Sequence, residues 1–184
     1  MGIVTTLPVQ RGRPFTAADL ESTPDDGRRY ELVDGCLIVT PAPLTRHQTV
    51  VLRLSVLLDA ACPPDLTLLT APLDVTIADD TVMQPDLLIA HRTDFDEHGL
   101  PGAPLLAIEV LSPSTRHIDL GLKKARYESA GCPSYWVVDP DTPSLTAWEL
   151  RDGAYVQTAH VSGTEHFEAS MPYAVTLRPA DLLR

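Results

Sequence analysis

The sequence predicts an α/β (α+β) domain with a mixed central sheet, flanking helices and peripheral β-hairpins. Three observations predict it. Two continuous apolar runs, 105–111 and 135–138, bracket a helix-period segment at 119–130; a strand–helix–strand unit of this kind makes a right-handed parallel crossover. Two Asp-Gly pairs, Asp34-Gly35 and Asp152-Gly153, each separate apolar runs, the strongest short hairpin signal. The chain has 184 residues, 44% hydrophobic and 21% charged, the size and composition of one globular domain with no need of a disulfide or metal staple.

Residues 1–14 lack hydrophobic periodicity and are expected to be a flexible N-terminus, leaving 15–184 as a single domain. Thr16 can cap a short helix whose first turns carry Asp19 and Glu21, and Asp25-Asp26-Gly27 turns the chain. Segments 29–33 and 36–40 form the first hairpin, stopped by Pro41 and Pro43. From 46 to 61 the pattern is helical. Val50, Leu54, Leu57, Leu58 and Ala61 share one face, Thr45 is the expected N-cap, and Pro63-Pro64 ends the element.

Segment 66–78 is expected to be extended, with Leu73, Val75 and Ile77 alternating against polar or small residues. Asp79-Asp80 turns it. The run 86–90 fits a strand buried on both faces, and 91–104 reads as a polar loop. Gly131 is placed to close the crossover helix. Segments 144–150 and 155–160 make the last hairpin.

Composition excludes several classes. With 14 basic and 25 acidic residues the formal charge is −11, so binding of nucleic acid through a general positive field is excluded and a local basic site would be needed. No apolar stretch follows Arg11 and Arg13, so a signal peptide is not expected, and the apolar segment 49–62 is too short and too charged to span a bilayer. A cytoplasmic protein with no membrane association is expected. Cys36, Cys62 and Cys132 are odd in number and lack metal-site spacing, and are read as buried or half-buried thiols.

The informative residues are acids inside apolar runs. Glu109 lies in Leu-Leu-Ala-Ile-Glu-Val-Leu, and a carboxylate there is costly unless paired or bound to a cation. Asp86 opens a second run. Two adjacent strands, each ending in an acid, suit one hard cation such as Mg2+, which takes one or two carboxylates, several waters and phosphate oxygens. A phosphodiester is the natural substrate for such a site.

Leu120, Lys123, Tyr127 and Ala130 form one stripe of the crossover helix, which points Lys123 inward, where it can orient a water or meet developing charge. Lys124 is rotated away and can pair with Glu128. Glu31, in the first hairpin, is a candidate outer acid. Arg46 and His47 open the first long helix, His47 being read as an ordinary capping or surface histidine. Segment 112–134 carries Arg116, Lys123, Lys124 and Arg126 against Asp119 and Glu128, a basic stretch in an acidic chain. Ser112 and Ser114 lack the elbow context of a serine hydrolase.

The order Glu31, Pro85-Asp86, Glu109 and Lys123 resembles the PD-(D/E)xK nuclease superfamily. More closely, the chain is similar to the Uma-type restriction endonucleases of bacteria. The shared stretches are Tyr30-Glu31-Leu32-Val33-Asp34-Gly35, Pro41-Ala42-Pro43 with Arg46-His47, Pro85-Asp86-Leu87-Leu88, Glu109-Val110-Leu111-Ser112-Pro113-Ser114-Thr115, the segment from Asp119 through Lys123 and Tyr127 to Gly131, and Tyr135-Trp136-Val137-Val138-Asp139-Pro140. The resemblance covers about residues 15–160.

It implies a restriction-endonuclease-like fold and a Mg2+- or Mn2+-dependent endonuclease hydrolysing DNA, with a homodimer as the working unit and no identifiable protein partner. Asp86 and Glu109 would bind the metal, with the Val110 backbone carbonyl as a further ligand; Lys123 would position the attacking water and Tyr127 would pack behind it. The chain departs from the superfamily at Leu111, where the motif lysine normally lies, and Lys123 matches a lysine moved to the following helix. The rival expectation is a non-catalytic nuclease-fold protein acting as a binding or scaffold module. No recognition domain is visible, so specificity would come from loops such as 91–104 or from dimerisation.

Overall fold

The computed structural model of the chain describes residues 13–184, so the expected flexible segment lies, except for Arg13 and Pro14, outside the described residues. Arg13 pairs with Asp19 at 2.7 Å. Thr16 stands at the N-cap of α1 (Ala17–Leu20), its backbone N–H donating to Asp19 at 2.7 Å.

The first hairpin forms as its sequence dictates: β1 (Arg29–Val33) pairs antiparallel with β2 (Cys36–Thr40). Asp34 and Gly35 have φ of 53° and 71°, the two positive values a tight hairpin turn demands. Then follow α2 (Thr45–Asp59), β3 (Leu66–Thr70), β4 (Asp74–Ala78), β5 (Thr81–Met83) and β6 (Leu87–His91). β7 (Gly99–Pro101) and β8 (Leu106–Val110) lead into a π-helical turn, Ile118–Lys123, continued by α3 (Lys124–Ser129). The chain ends with β9 (Ser134–Asp139), β10 (Ser144–Arg151), β11 (Ala154–Ser162), β12 (Phe167–Ala169), β13 (Val175–Leu177) and a short 3-10 turn.

The central sheet has the order β11-β10-β9-β8-β6-β3 and is mixed: β8 and β9 run parallel across the helical crossover, and its other neighbours are antiparallel. A second sheet, β2-β1-β5-β4-β7, covers one face, while α2, β12–β13 and the 3-10 turn cover the other. Strand alternation assigns side chains to each layer. Leu106, Ile108 and Val110 pack toward Val50, Leu54 and Leu58 of α2. Ala107 and Leu111 face the opposite way, against Val33, Val75 and Met83 of the second sheet. Glu109 lies between Ala107 and Leu111 and shares their face.

Several expectations are corrected here. Segment 66–78 is two strands in two sheets, because the chain crosses from one layer to the other at Ala71-Pro72. The expected loop 91–104 contains β7, which pairs with β4. β5, β7, β12 and β13 are three residues each, too short to show a period. The long helix begins at Thr45 with Leu44 at its N-cap and no side-chain cap; Leu57 is half-buried and Ala61 exposed beyond its end.

Lys124 does not pair with Glu128. Its ammonium lies 4.5 Å from the centre of the Trp148 ring, and Glu128 accepts the Tyr155 backbone N–H. Gly131 does close the crossover helix: at φ 80°, its N–H reaches Glu128 O and that of Cys132 reaches Tyr127 O, a Schellman pair. Cys132 is buried and Cys62 half-buried as expected, but Cys36 is exposed. No helix among the described residues is long and apolar enough to cross a membrane.

Candidate active site

β6 and β8 run antiparallel with Leu87 opposite Ile108 and Leu88 opposite Ala107. One step along this register sets Asp86 opposite Glu109, and both side chains leave the sheet on the face toward β1. On β1, Arg29, Glu31 and Val33 share one face: Val33 enters the apolar core, Glu31 is 2% exposed, and Arg29 reaches the mouth of the site. The crossover helix delivers the fourth component. Its first turn is π-helical, so Asp119, Lys123 and Tyr127, spaced by four, form the buried stripe. Leu120, expected on that stripe, is 38% exposed, and Asp119 takes its place inside. Tyr135 Oη donates to the Asp119 backbone carbonyl at 2.8 Å and pins this turn.

Lys123 is the centre of the cluster. Its Nζ lies 2.8 Å from Glu31 Oε1, 3.0 Å from Glu109 Oε1 and 3.7 Å from Asp119 Oδ1. Burial alone would strip its proton, but Glu109, Glu31 and Asp119 outweigh that and raise its pKa, so the ammonium stays charged. Three carboxylates around one ammonium leave excess negative charge. Burial first, then Asp119, Asp86 and Glu31, push the Glu109 carboxyl well above its usual range against the pull of Lys123. Burial likewise raises Asp119. Glu31, expected as an outer acid, thus stands in direct contact with Lys123 and also accepts the Gln84 backbone N–H at 2.7 Å.

Asp86 has other partners. Arg29 donates to its Oδ1 at 2.9 Å, while its Oδ2 lies 3.0 Å from His47 Nε2 and accepts the Val110 backbone N–H at 2.8 Å. Burial would raise its pKa, but His47, Arg29 and this N–H hold it down to about 2. His47 is therefore no surface histidine. It is 8% exposed and fixed to the acid. Since the ionised carboxylate only accepts, Nε2 carries the proton. Neither Arg29 nor Asp119 was singled out as a site residue from the sequence: the partner of Arg29 lies 57 residues away, and Asp119 is turned inward by the π-helical turn. Arg46, which precedes His47 at the start of α2, is exposed and pairs with Asp141 at 3.4 Å.

These residues open onto a cleft of about 1030 Å³, lined by Asp86, Glu109, Lys123 and Arg29 among others. The donor set fits a hard cation. Four buried carboxylates, Glu31, Asp86, Glu109 and Asp119, face two permanent cations, Lys123 and Arg29, an imbalance that a divalent ion would neutralise. Two polar atoms of cleft-lining residues, His47 Nδ1 and Gln84 Oε1, are buried without a hydrogen-bond partner, as is Tyr127 Oη behind Lys123. Among the described residues, no group of three or more His, Cys, Asp or Glu side chains is arranged to hold a metal ion by itself. Mg2+ does not need one, since it keeps most of its waters.

The model of a family described as "Uma2: Putative restriction endonuclease" matches residues 17–179. No curated protein matches the sequence. A similar solved structure is the crystal structure of "a putative nuclease belonging to DUF820" from Anabaena variabilis ATCC 29413. It is 19% identical over 92% of this chain and 98% of its own, with a TM-score of 0.75, a likeness that shows the fold.

Proposed function

The chain belongs to the family described as "Uma2: Putative restriction endonuclease", and on that premise we propose that it is a Mg2+-dependent endonuclease, able also to use Mn2+, that hydrolyses phosphodiester bonds of DNA. The observation that carries this reading is the Lys123 ammonium held 3.0 Å from Glu109 Oε1 on the sheet face shared with Asp86. In this reading Asp86 and Glu109, with the Val110 backbone carbonyl, hold the metal. When bound, the metal supplies a Lewis acid for the phosphoryl oxygen and a water of lowered pKa.

The remaining chemistry belongs to the chain's own side chains. Lys123 keeps its proton, so it acts as a donor that orients the attacking water rather than as a base. Glu31 and Asp119 hold that ammonium from two further sides and fix its position. Tyr127 packs behind it and is structural. We further take the working unit to be a homodimer in the cytoplasm, one site for each strand of a duplex.

One observation favours a second reading, a non-catalytic nuclease-fold protein that binds or scaffolds: both oxygens of Asp86 already accept hydrogen bonds from the protein. A Mn2+ titration of the metal-free protein separates the two. Saturable binding that Asp86→Ala abolishes supports the enzyme. No binding, or binding indifferent to Asp86→Ala, supports the scaffold.

A further inference from the structure

We propose that Arg29 is the phosphate clamp of this site. This role rests on the nuclease reading above and names the group that receives the substrate. A carboxylate offers about four lone-pair sites, two on each oxygen. On Asp86, Oδ2 accepts from both His47 Nε2 and the Val110 N–H, which fills it. Oδ1 accepts from Arg29 alone. The open position on Asp86 is therefore the second lone pair of Oδ1, beside the guanidinium. A cation held by Asp86 would have that position available, and a substrate phosphate drawn to the cation would come within reach of Arg29.

Arg29 is built for that neighbour. A second donor, Nη1, is tied to the Gln84 backbone carbonyl at 3.0 Å, in the segment leading into Asp86. The guanidinium is thus held at two points while its side chain stays 20% exposed and lines the cleft. A guanidinium has five N–H donors in a planar fork, so donors remain for a phosphate after these two bonds. Lys123 cannot take this role, being 3% exposed and enclosed by three carboxylates. Arg28 also lines the cleft, but it is 61% exposed and sits 3.5 Å from Asp26 at the rim.

The test compares Arg29→Met, Arg29→Lys and Asp86→Asn in the full chain with three readouts. These are the Mn2+-induced rise in melting temperature of the metal-free protein, affinity for a short fluorescent single-stranded DNA in Ca2+, and cleavage of that DNA in Mg2+. For Arg29→Met the Mn2+ response persists, while DNA affinity falls roughly tenfold or more, the loss of one charge-assisted contact. The slope of log affinity against log salt drops by about 0.7, one phosphate contact on a single strand. Arg29→Lys recovers the slope but only part of the affinity, since lysine restores charge without the fork.

The clamp is overturned if Arg29→Met removes the Mn2+ response as Asp86→Asn does, because Arg29 is then only a brace for Asp86. It is also overturned if affinity and slope stay at wild-type values while the wild type binds and cleaves; in that case the nuclease reading survives alone. A wild type that neither binds DNA in Ca2+ nor cleaves it in Mg2+ brings down the nuclease reading and the clamp with it.

Discussion

Lys123 Nζ lies 3.0 Å from Glu109 Oε1, although the lysine rides on the crossover helix and the glutamate on a fully buried central strand of the sheet. In the superfamily that the sequence resembles, the lysine would stand two residues after the acid, at Leu111. Leu111 shares the face of Glu109 but is 4% exposed among Val33, Tyr127 and Val137. The apolar core occupies the strand position, and the helix packs across the strand end to return an ammonium to the same carboxylate.

Removing that ammonium strands three buried acids. Lys123→Met is expected to destabilise the protein by about 3–5 kcal/mol, the cost of breaking a buried pair from one side. Urea unfolding with and without Mn2+ checks this. The loss should shrink when Mn2+ is present, because a divalent ion replaces part of the missing charge. A loss under about 1 kcal/mol would mean that the acids do not depend on Lys123.

Moving the lysine back to the strand tests the substitution of one element for another. Leu111→Lys alone should destabilise, since it buries a second cation in apolar surroundings. The double variant Leu111→Lys/Lys123→Leu should be more stable than the two single losses sum to, with a coupling of at least about 1 kcal/mol in a double-mutant cycle. Strict additivity would show that the two positions do not serve the same carboxylate.

Tyr127 gives a prediction of opposite sign. Its hydroxyl is buried without a partner, so Tyr127→Phe removes an unsatisfied group from a packed site. Stability should stay level or rise by about 1 kcal/mol. A clear fall in the urea midpoint would reveal a partner for the hydroxyl.

Asp139 supplies a pH dependence away from the cleft. Burial would raise its pKa, but Arg116 Nη1 at 2.7 Å, the Asp141 N–H at 2.9 Å and the Thr142 hydroxyl at 2.9 Å lower it below its usual 3.8. A depressed folded-state pKa contributes stability that is complete above the unfolded value and fades as pH falls through the folded one. Asp139→Asn should thus cost about 1 kcal/mol at neutral pH, Arg116 being half-exposed and screened. The gap to wild type should close below about pH 4 in a pH series of urea midpoints. A gap that persists in acid would assign the effect to packing.

How much of this was legible follows from the range of each signal. Asp34-Gly35 specifies its own turn, so the first hairpin could be read to the residue. Asp86 and Glu109 stood out because acids inside apolar runs need a reason. Lys123 was legible from its spacing to Tyr127, which a π-turn upstream leaves intact. Asp119 was not, because the stripe drawn at ordinary helical spacing chose Leu120, and nothing local announces a π-turn. His47 and Arg29 were misread or passed over for another reason: their partner Asp86 lies 39 and 57 residues away, and only the fold brings them together.

The most direct measurement is cleavage of supercoiled and single-stranded DNA with Mg2+ or Mn2+ by the wild type, beside Asp86→Asn and Lys123→Met samples shown to be folded by their melting transitions. The account predicts metal-dependent cleavage by the wild type and its loss in both variants. A folded wild type that binds Mn2+ yet cuts neither DNA, or a Lys123→Met protein that cuts at the wild-type rate, would contradict it.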